Sequence, residues 1–361
     1  MIQTVITVFV IIFWIAGAVD YLLGGKLGLY PEFERGLSSF AKLLLCMGGF
    51  LALVPLLADI LAPAVSPFFR AIGADPSLFA GFILANDSGG AALAMQMADD
   101  PAMGLYNGYI VGAIIGCTIM FSISFTIANM GERERTPAIY GLLVGIITSP
   151  VGCLAGGFAA GFDKTSVLRN TLPVLVLAAV LALLLVFARQ AIVIILNVLG
   201  KVLLAISVFG ITLAGAQTLS GVTLVEGLSD LGEIFSIICN ICIFLAGMFP
   251  FLAVLRKVLR KPIAAFGRRL GITEMAANGL LVDLANAIPT ITSFKDMDEK
   301  GILLNVAFIV SASAVFGDHL AYTSQVAPEM VASMIVGKLA GGLCALALGC
   351  VLAPKLLKQK K

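Results

Sequence analysis

Asn86-Asp87-Ser88-Gly89-Gly90 interrupts one apolar run of the chain, and Asp283-Leu284-Ala285-Asn286-Ala287-Ile288-Pro289 interrupts another. Polar, helix-breaking residues in hydrocarbon leave backbone N–H and C=O groups unpaired. They persist only where protein or a water-filled cavity encloses them. The two interruptions sit at matching places in the two halves, the pattern that marks the binding site of transport proteins built from repeats. The implied task is moving a solute across a bilayer.

The composition agrees with a membrane setting. Of the 361 residues, 60% are apolar and only 12% are charged, against about 25% charged in a soluble domain. Mean hydropathy is +1.06. Helices are expected at 2–23, 40–62, 106–129, 137–161, 169–188, 194–219, 235–255, 302–325 and 333–353, with broken segments near 77–98 and 274–294. Met1 precedes an apolar stretch without a basic flank, so the first helix is expected to be retained rather than cleaved as a signal. All seven cysteines lie in apolar spans. Cys239 and Cys242 are therefore read as small buried hydrophobes rather than a redox or metal pair.

An internal duplication appears at an offset of 198 residues. It pairs Gly17 with Gly215, Gly49 with Gly247, Phe68 with Phe266, Arg70 with Arg268, Gly73 with Gly271, Gly81 with Gly279 and Asn107 with Asn305. Residues 1–110 give 15 identities without a gap, where chance in so biased a composition gives roughly 9. Helices and breaks also follow in the same order. The helix at 169–188 has no counterpart and reads as a connector.

Charge placement then separates two topologies. If both broken segments cross the membrane, the loop Lys and Arg divide 11 against 11. If both dip in and return, the split becomes 19 to 3, the minority being Arg70, Lys164 and Arg169. Basic loops favour the cytoplasm, so the re-entrant topology is preferred. It places the N-terminus outside and the C-terminus inside, and it inverts the second repeat relative to the first. Each re-entrant arm would span roughly 12–15 Å, half the hydrocarbon thickness, so the two tips would meet near the midplane.

Asp87 is the leading site residue. A carboxylate at the bilayer centre costs at least about 2.5–3.5 kcal/mol, so it requires a partner or a purpose. With Asn86, Ser88 and the bare Gly89-Gly90 backbone it suits a small cation that carries a polar group. A structural cap for the hairpin tip explains the same residues and is compatible with that role. Asp283, Asn286 and Thr290 form the second tip, while Asn107 and Asn305 open the helix after each hairpin. Asp318 and His319, the only histidine, are read as a satisfied buried pair or as a proton relay. Asp20 and Asp59 sit near helix ends, where contact with headgroups or water suffices. Asn197, Gln217 and Asn240 are weaker candidates. Gly108, Gly112 and Gly116, Gly141 and Gly145, Gly152 and Gly156, and Gly337 and Gly341 mark faces for close helix approach. Arg256–Arg269 reads as an orientation anchor at the headgroups.

No HExxH, nucleotide-binding loop, GxSxG or His/Cys cluster is present, so no enzyme is expected. Nor is any cofactor, metal or nucleic-acid partner.

Three stretches make the chain resemble the EutH ethanolamine-utilization membrane protein family. They are Phe79-Ala-Gly-Phe-Ile-Leu-Ala-Asn-Asp-Ser-Gly-Gly-Ala91, Gly279-Leu-Leu-Val-Asp-Leu-Ala-Asn-Ala-Ile-Pro289 and Val315-Phe-Gly-Asp-His-Leu-Ala-Tyr322. The resemblance implies a bacterial inner-membrane protein that admits ethanolamine when the amine is scarce or the medium acidic. It assigns no site residues. Protonated ethanolamine nevertheless fits them: Asp87 would neutralise the ammonium, and Asn, Ser or carbonyl groups would take the remaining bonds. A ring such as Phe82 would add a cation–π contribution of about 0.5–2 kcal/mol.

The expected architecture is an all-α polytopic membrane protein, an inverted repeat of helices with one re-entrant, broken hairpin per repeat. Residues 1–165 form the first repeat, 166–190 the connector and 191–361 the second repeat. Gly-rich faces are compatible with a homo-oligomer. Two alternatives remain: a membrane scaffold that docks soluble partners through Arg256–Arg269, or a transporter of another small amine or polar solute. The topology is checked by labelling with an impermeant thiol reagent: a cysteine at 99 should react from outside, and one at 297 only from inside.

Overall fold

The computed structural model describes residues 2–357; Met1 and the basic residues Lys358, Lys360 and Lys361 lie outside them. Every regular element among the described residues is helical. Eight stretches are long and apolar enough to cross a membrane: α1 (Gln3–Leu22), α2 (Tyr30–Ala71), α5 (Pro101–Ala128), α6 (Glu132–Ala159), α7 (Lys164–Phe187), α8 (Arg189–Ser220), α9 (Leu231–Leu270) and α14 (Pro328–Leu356). Shorter helices fill the gaps. They are α3 (Leu78–Ile83), α4 (Ala91–Met97), α10 (Glu274–Asp283), α11 (Ile288–Thr292), α12 (Glu299–Ala312) and α13 (Asp318–Val326).

One expected helix is corrected. The sequence predicted a single span over 302–325, but the chain leaves the helix at Ser313 and resumes at Asp318. Ala314 adopts φ +58, the only positive φ outside glycine among the described residues. The break survives because its N–H groups find partners outside the helix. Ala314 N donates to the Asp283 carbonyl at 3.0 Å and Phe316 N to the Leu284 carbonyl at 2.8 Å.

Asp20 is a second correction. It is fully buried rather than turned to water. Its carboxylate accepts from the backbone N–H groups of Leu27 at 2.6 Å, Leu29 at 2.7 Å and Tyr30 at 2.9 Å. It thereby organises the turn into α2 as an extended cap. Asp59, Asn197 and Asn240 are exposed, and Gln217 accepts from Leu224 N and Val225 N in the loop after α8.

Helix ends recur at the 198-residue spacing to within one residue. α1 and α8 end at Leu22 and Ser220, α2 and α9 at Ala71 and Leu270, and α5 and α12 begin at Pro101 and Glu299. α2 and α9, of 42 and 40 residues, are roughly 60 Å long, about twice the hydrocarbon thickness. Their basic or charged ends must therefore tilt or project beyond it. The caps recur too: Asp100 accepts from Ala102 N ahead of α5, and Asp298 from Gly301 N ahead of α12.

Each broken segment begins and ends at one place. Asp75, before α3, accepts from Asp99 N at 3.1 Å and Asp100 N at 2.9 Å, beyond α4. Thr273 N, before α10, donates to Asp298 at 2.8 Å, beyond α11. Asp99 also pairs with Arg70 at 2.6 Å, and that guanidinium holds the Asp99 carboxyl below the usual carboxylate range.

Small residues set the helix packing. A Cβ on Gly49 of α2 would collide with the Ser207 carbonyl of α8, and one on Gly247 of α9 with the Val10 carbonyl of α1. The second helix of each half thus packs against the first helix of the other. Gly152 and Gly156 of α6 meet Gly337 and Gly341 of α14, and Gly141 and Gly145 meet α12. These faces are used within the chain, so they supply no argument for an oligomer. α1, α7 and α8 turn most of their apolar side chains outward, Ile11, Ile12, Leu175, Val176, Ile194 and Phe209 among them. α5 and α12 fill the interior. Lipid is the medium that accepts such outward faces.

Gly49→Val and Gly247→Val should each force one of these cross-half contacts apart, at about 1–3 kcal/mol or more for overpacking. Gel filtration of detergent-solubilised protein should then show a lower thermal midpoint and loss of the monodisperse peak. Gly200→Ala, where an added Cβ meets nothing within 4 Å, should behave as wild type.

Candidate functional site

The first tip, Asn86–Gly90, lies between two short helices because its backbone leaves helical geometry. Ser88 has φ −91 and ψ 33, and Gly89 has φ 92. Gly89 can take that conformation without a Cβ, and a Cβ there would press on Phe50. Gly90 N donates back to the Ala85 carbonyl at 3.0 Å, closing the turn. The tip is seated on α5, which is wound with wide i→i+5 turns over Tyr106–Gly116. Such turns are often found at functional positions. Gly116 lets the Leu84 carbonyl approach α5 closely.

Residues from α13, in the other half, complete this tip. Asn86 Nδ2 donates to Thr323 Oγ1 at 3.3 Å, and Thr323 Oγ1 donates to the His319 carbonyl at 2.7 Å. Ser88 Oγ donates to Asp87 Oδ1 at 3.2 Å. His319 Nε2 stands 4.0 Å from Asp87 Oδ1, beyond hydrogen-bond distance but inside electrostatic range. Asp87 keeps 14% side-chain exposure while His319 keeps 4%. The histidine therefore faces Asp87 rather than its sequence neighbour Asp318. His319 Nδ1 and Asn86 Oδ1 have no hydrogen-bond partner. A carboxylate with one weak donor, beside unfilled donor and acceptor positions, can take a cationic group and a hydroxyl together.

The second tip is seated on the break after α12. Its carbonyls at Asp283 and Leu284 accept from Ala314 and Phe316, and Gly317 leaves room for the Ala285 carbonyl. Asn286 Oδ1 accepts from Ile288 N at 2.8 Å, capping α11. Residues 313–319 therefore touch both tips: the second through backbone, the first through His319.

Asn107 and Asn305 bond to none of the Asp87 cluster; each lies where a broken segment packs on the helix that follows it. Asn107 Nδ2 donates to Ser77 Oγ at 2.9 Å and Asn170 Oδ1 at 3.0 Å. Asn305 Nδ2 donates to the Ala276 and Gly301 carbonyls at 2.8 Å each. Asp283 is fully buried, and the Thr290 hydroxyl donates to the Gly279 carbonyl at 3.3 Å. Asp318 is half-buried in the first turn of α13. Phe82 packs edge-on against Phe69, 6.2 Å between ring centroids. The ring at the first tip is Phe50 instead.

Sequence reasoning passed over Phe50, Thr323 and Lys338. Lys338 of α14 is 1% exposed, and its Nζ donates to the Ala113 carbonyl of α5 at 2.6 Å. A lysine inside an apolar span was the available signal, since ionisable residues in membrane helices are costly and tend to be functional. Phe50 and Thr323 carried none, being ordinary residues of apolar helices.

A small cleft reaches the second tip at Val282, Ala285, Asn286 and Pro289. Its lining includes Glu32 between two guanidinium groups, Arg35 at 2.9 Å and Arg256 at 3.3 Å. Arg35 also lies over the Phe249 ring, 4.2 Å from its centroid.

The family model of the ethanolamine utilisation protein EutH matches residues 2–352. A relative from Listeria monocytogenes serotype 1/2a (strain 10403S), named "Probable ethanolamine permease EutH", is 41% identical over 100% of this chain and 96% of its own length. A relative from Escherichia coli (strain K12) with the same name is 34% identical, covering 98% and 96%. "Uncharacterized protein YxeR" of Bacillus subtilis (strain 168) is 39% identical over 97% and 95%. No solved structure matches. The match over nearly the whole chain, together with a multi-pass helical fold, places this chain in the EutH family of ethanolamine utilisation proteins.

Proposed function

We propose that the chain is a transporter that admits ethanolamine across the bacterial inner membrane, binding its ammonium group at Asp87. The observation that carries this reading is the pairing of Asp87 with His319 at the first tip, where one half of the chain supplies the carboxylate and the other half the histidine. Ethanolamine carries a cation and a hydroxyl two carbons apart. Asp87 offers the counter-charge, and Asn86, Ser88 and Thr323 surround it with hydrogen-bonding groups. Relatives named as ethanolamine permeases supply the choice of solute.

In this reading the two broken segments are re-entrant hairpins that enter from opposite leaflets, and the halves 1–165 and 191–361 are inverted repeats joined by 166–190. Support comes from the hairpin ends. A segment that crossed the bilayer would part its ends by about 30 Å, whereas Asp75 touches Asp99 and Thr273 touches Asp298. The reciprocal contacts of Gly49 and Gly247 also suit a two-fold exchange of halves. The basic-loop asymmetry puts the N-terminus outside and the C-terminus in the cytoplasm, so the cleft beside Arg35 and Arg256 would open inward.

Docking of soluble partners through Arg256–Arg269 is the weaker reading. Arg256 pairs with Glu32 and Arg260 with Glu274, the latter at 3.4 Å. Both charges are already engaged within the chain.

The carboxylate is tested by Asp87→Asn in proteoliposomes at acid pH, where the charged amine does not cross lipid unaided. Uptake of labelled ethanolamine should fall to the level of empty vesicles while the protein stays correctly inserted. Wild-type uptake by this variant would reject the site. For topology, Met297 is only 2% exposed, so exposed Asp296 is the better inward reporter beside Asp99.

A further inference from the structure

Where the second hairpin packs against α12, Asp283 and Asn305 bury side-chain oxygen atoms that have no hydrogen-bond partner. Gly279 and Asp283 stand one turn apart on α10 and so share a face. Asp283 is fully buried, and neither of its carboxylate oxygens has a hydrogen-bond partner. The Thr290 hydroxyl, on α11, donates to the Gly279 carbonyl at 3.3 Å and lies close enough to the Asp283 carboxyl to turn to it instead. Asn305, on α12, spends both amide hydrogens on the Ala276 and Gly301 carbonyls. This fixes the orientation of its amide and leaves Oδ1, also fully buried, without a partner beside Gly279 and Thr290.

Such a set is electrostatically incomplete. A buried acid without a counter-charge costs several kcal/mol, and no Lys, Arg or His pairs with Asp283 among the described residues. Asp283 is also the last residue of α10, at the end of the helix that carries partial negative charge and favours cations.

The first hairpin provides an internal control. At the 198-residue spacing, Gly81 and Asn107 match Gly279 and Asn305, but Ala85 stands for Asp283 and Ala92 for Thr290. Gly81 packs on the Asn107 backbone carbonyl whereas Gly279 packs on the Asn305 side-chain oxygen, and Asn107 Oδ1 also lacks a partner. A hairpin of this kind therefore closes without the acid or the hydroxyl, and both are free for another purpose.

We propose that the Asp283 carboxylate, Thr290 Oγ1, Asn305 Oδ1 and the Gly279 carbonyl bind one Na⁺. A single carboxylate matches a monovalent charge, and an all-oxygen set suits a hard cation. The absence of nitrogen and sulfur ligands from this set disfavours transition metals. A cation held by half-helix ends and unpaired carbonyls near a solute site is a recurring coupling arrangement in transporters. Coupling rests on the transport reading above, but the binding step does not.

The test is equilibrium binding of radiolabelled Na⁺ to the purified full chain in detergent, without any amine, in excess K⁺. Wild-type protein should bind Na⁺ saturably, near one ion per chain. Asp283→Asn and Asp283→Ala should lose saturable binding while keeping the wild-type gel-filtration profile; Asp283→Ala carries the residue the first hairpin has at this position. Thr290→Val, with a milder change of shape, should weaken binding as well and serves if the Asp283 variants do not fold. No saturable binding by wild type, proton uptake at Asp283 in its place, or unchanged binding in Thr290→Val and whichever Asp283 variant folds would each overturn the assignment. Because no ethanolamine is present, failure here is distinct from failure of the Asp87 reading.

Discussion

Two backbone hydrogen bonds, from Ala314 N–H to the Asp283 carbonyl and from Phe316 N–H to the Leu284 carbonyl, hold the centre of this molecule together. Each joins a chain segment that has left its helix to another that has done the same. In hydrocarbon an unpaired peptide group costs several kcal/mol, so neither the second hairpin nor the break after α12 is sustainable alone. Their mutual satisfaction lets α13 begin where it does, which in turn brings His319 to Asp87. The first tip thus depends, through α13, on how the second is seated.

The two halves share a framework but differ in chemistry. Capping aspartates and the reciprocal packing of Gly49 and Gly247 recur. The acids do not: Asp87 stands opposite Ala285, and Asp283 opposite Ala85. Each broken segment has one carboxylate, at positions that do not match, one partly exposed beside a histidine and one fully buried. That difference separates the proposed solute position from the proposed ion position.

Much of this was legible in the sequence, for identifiable reasons. Asn86–Gly90 and Asp283–Pro289 declared themselves because helix breakers and acids are conspicuous in an apolar background. Glycine pairs such as Gly152 and Gly156 announced tight helix faces, though not that the partner face was Gly337 and Gly341 of the same chain. The break at Ser313–Gly317 was missed because Ser311, Ser313, Gly317 and Asp318 are also compatible with one continuous helix that has a polar side. Its cause is the pair of carbonyls offered by a remote hairpin. Asp20 was misread because a polar residue near a helix end has two sinks, water or backbone N–H groups, and one-dimensional reading does not distinguish them.

By itself the sequence determined what local chemistry compels: an apolar helical chain of membrane class, with polar breaks in two of its apolar runs. Hydropathy, glycine content and charge placement act on neighbouring residues, so they can be read along a line. Only the tertiary structure decided which polar group meets which: His319 against Asp87 across 232 positions, Thr323 against Asn86, and Asn305 turned so that its amide hydrogens are spent and its oxygen is not. Those pairings arise because buried hydrogen-bonding groups must find partners in space, and that demand is blind to separation along the chain.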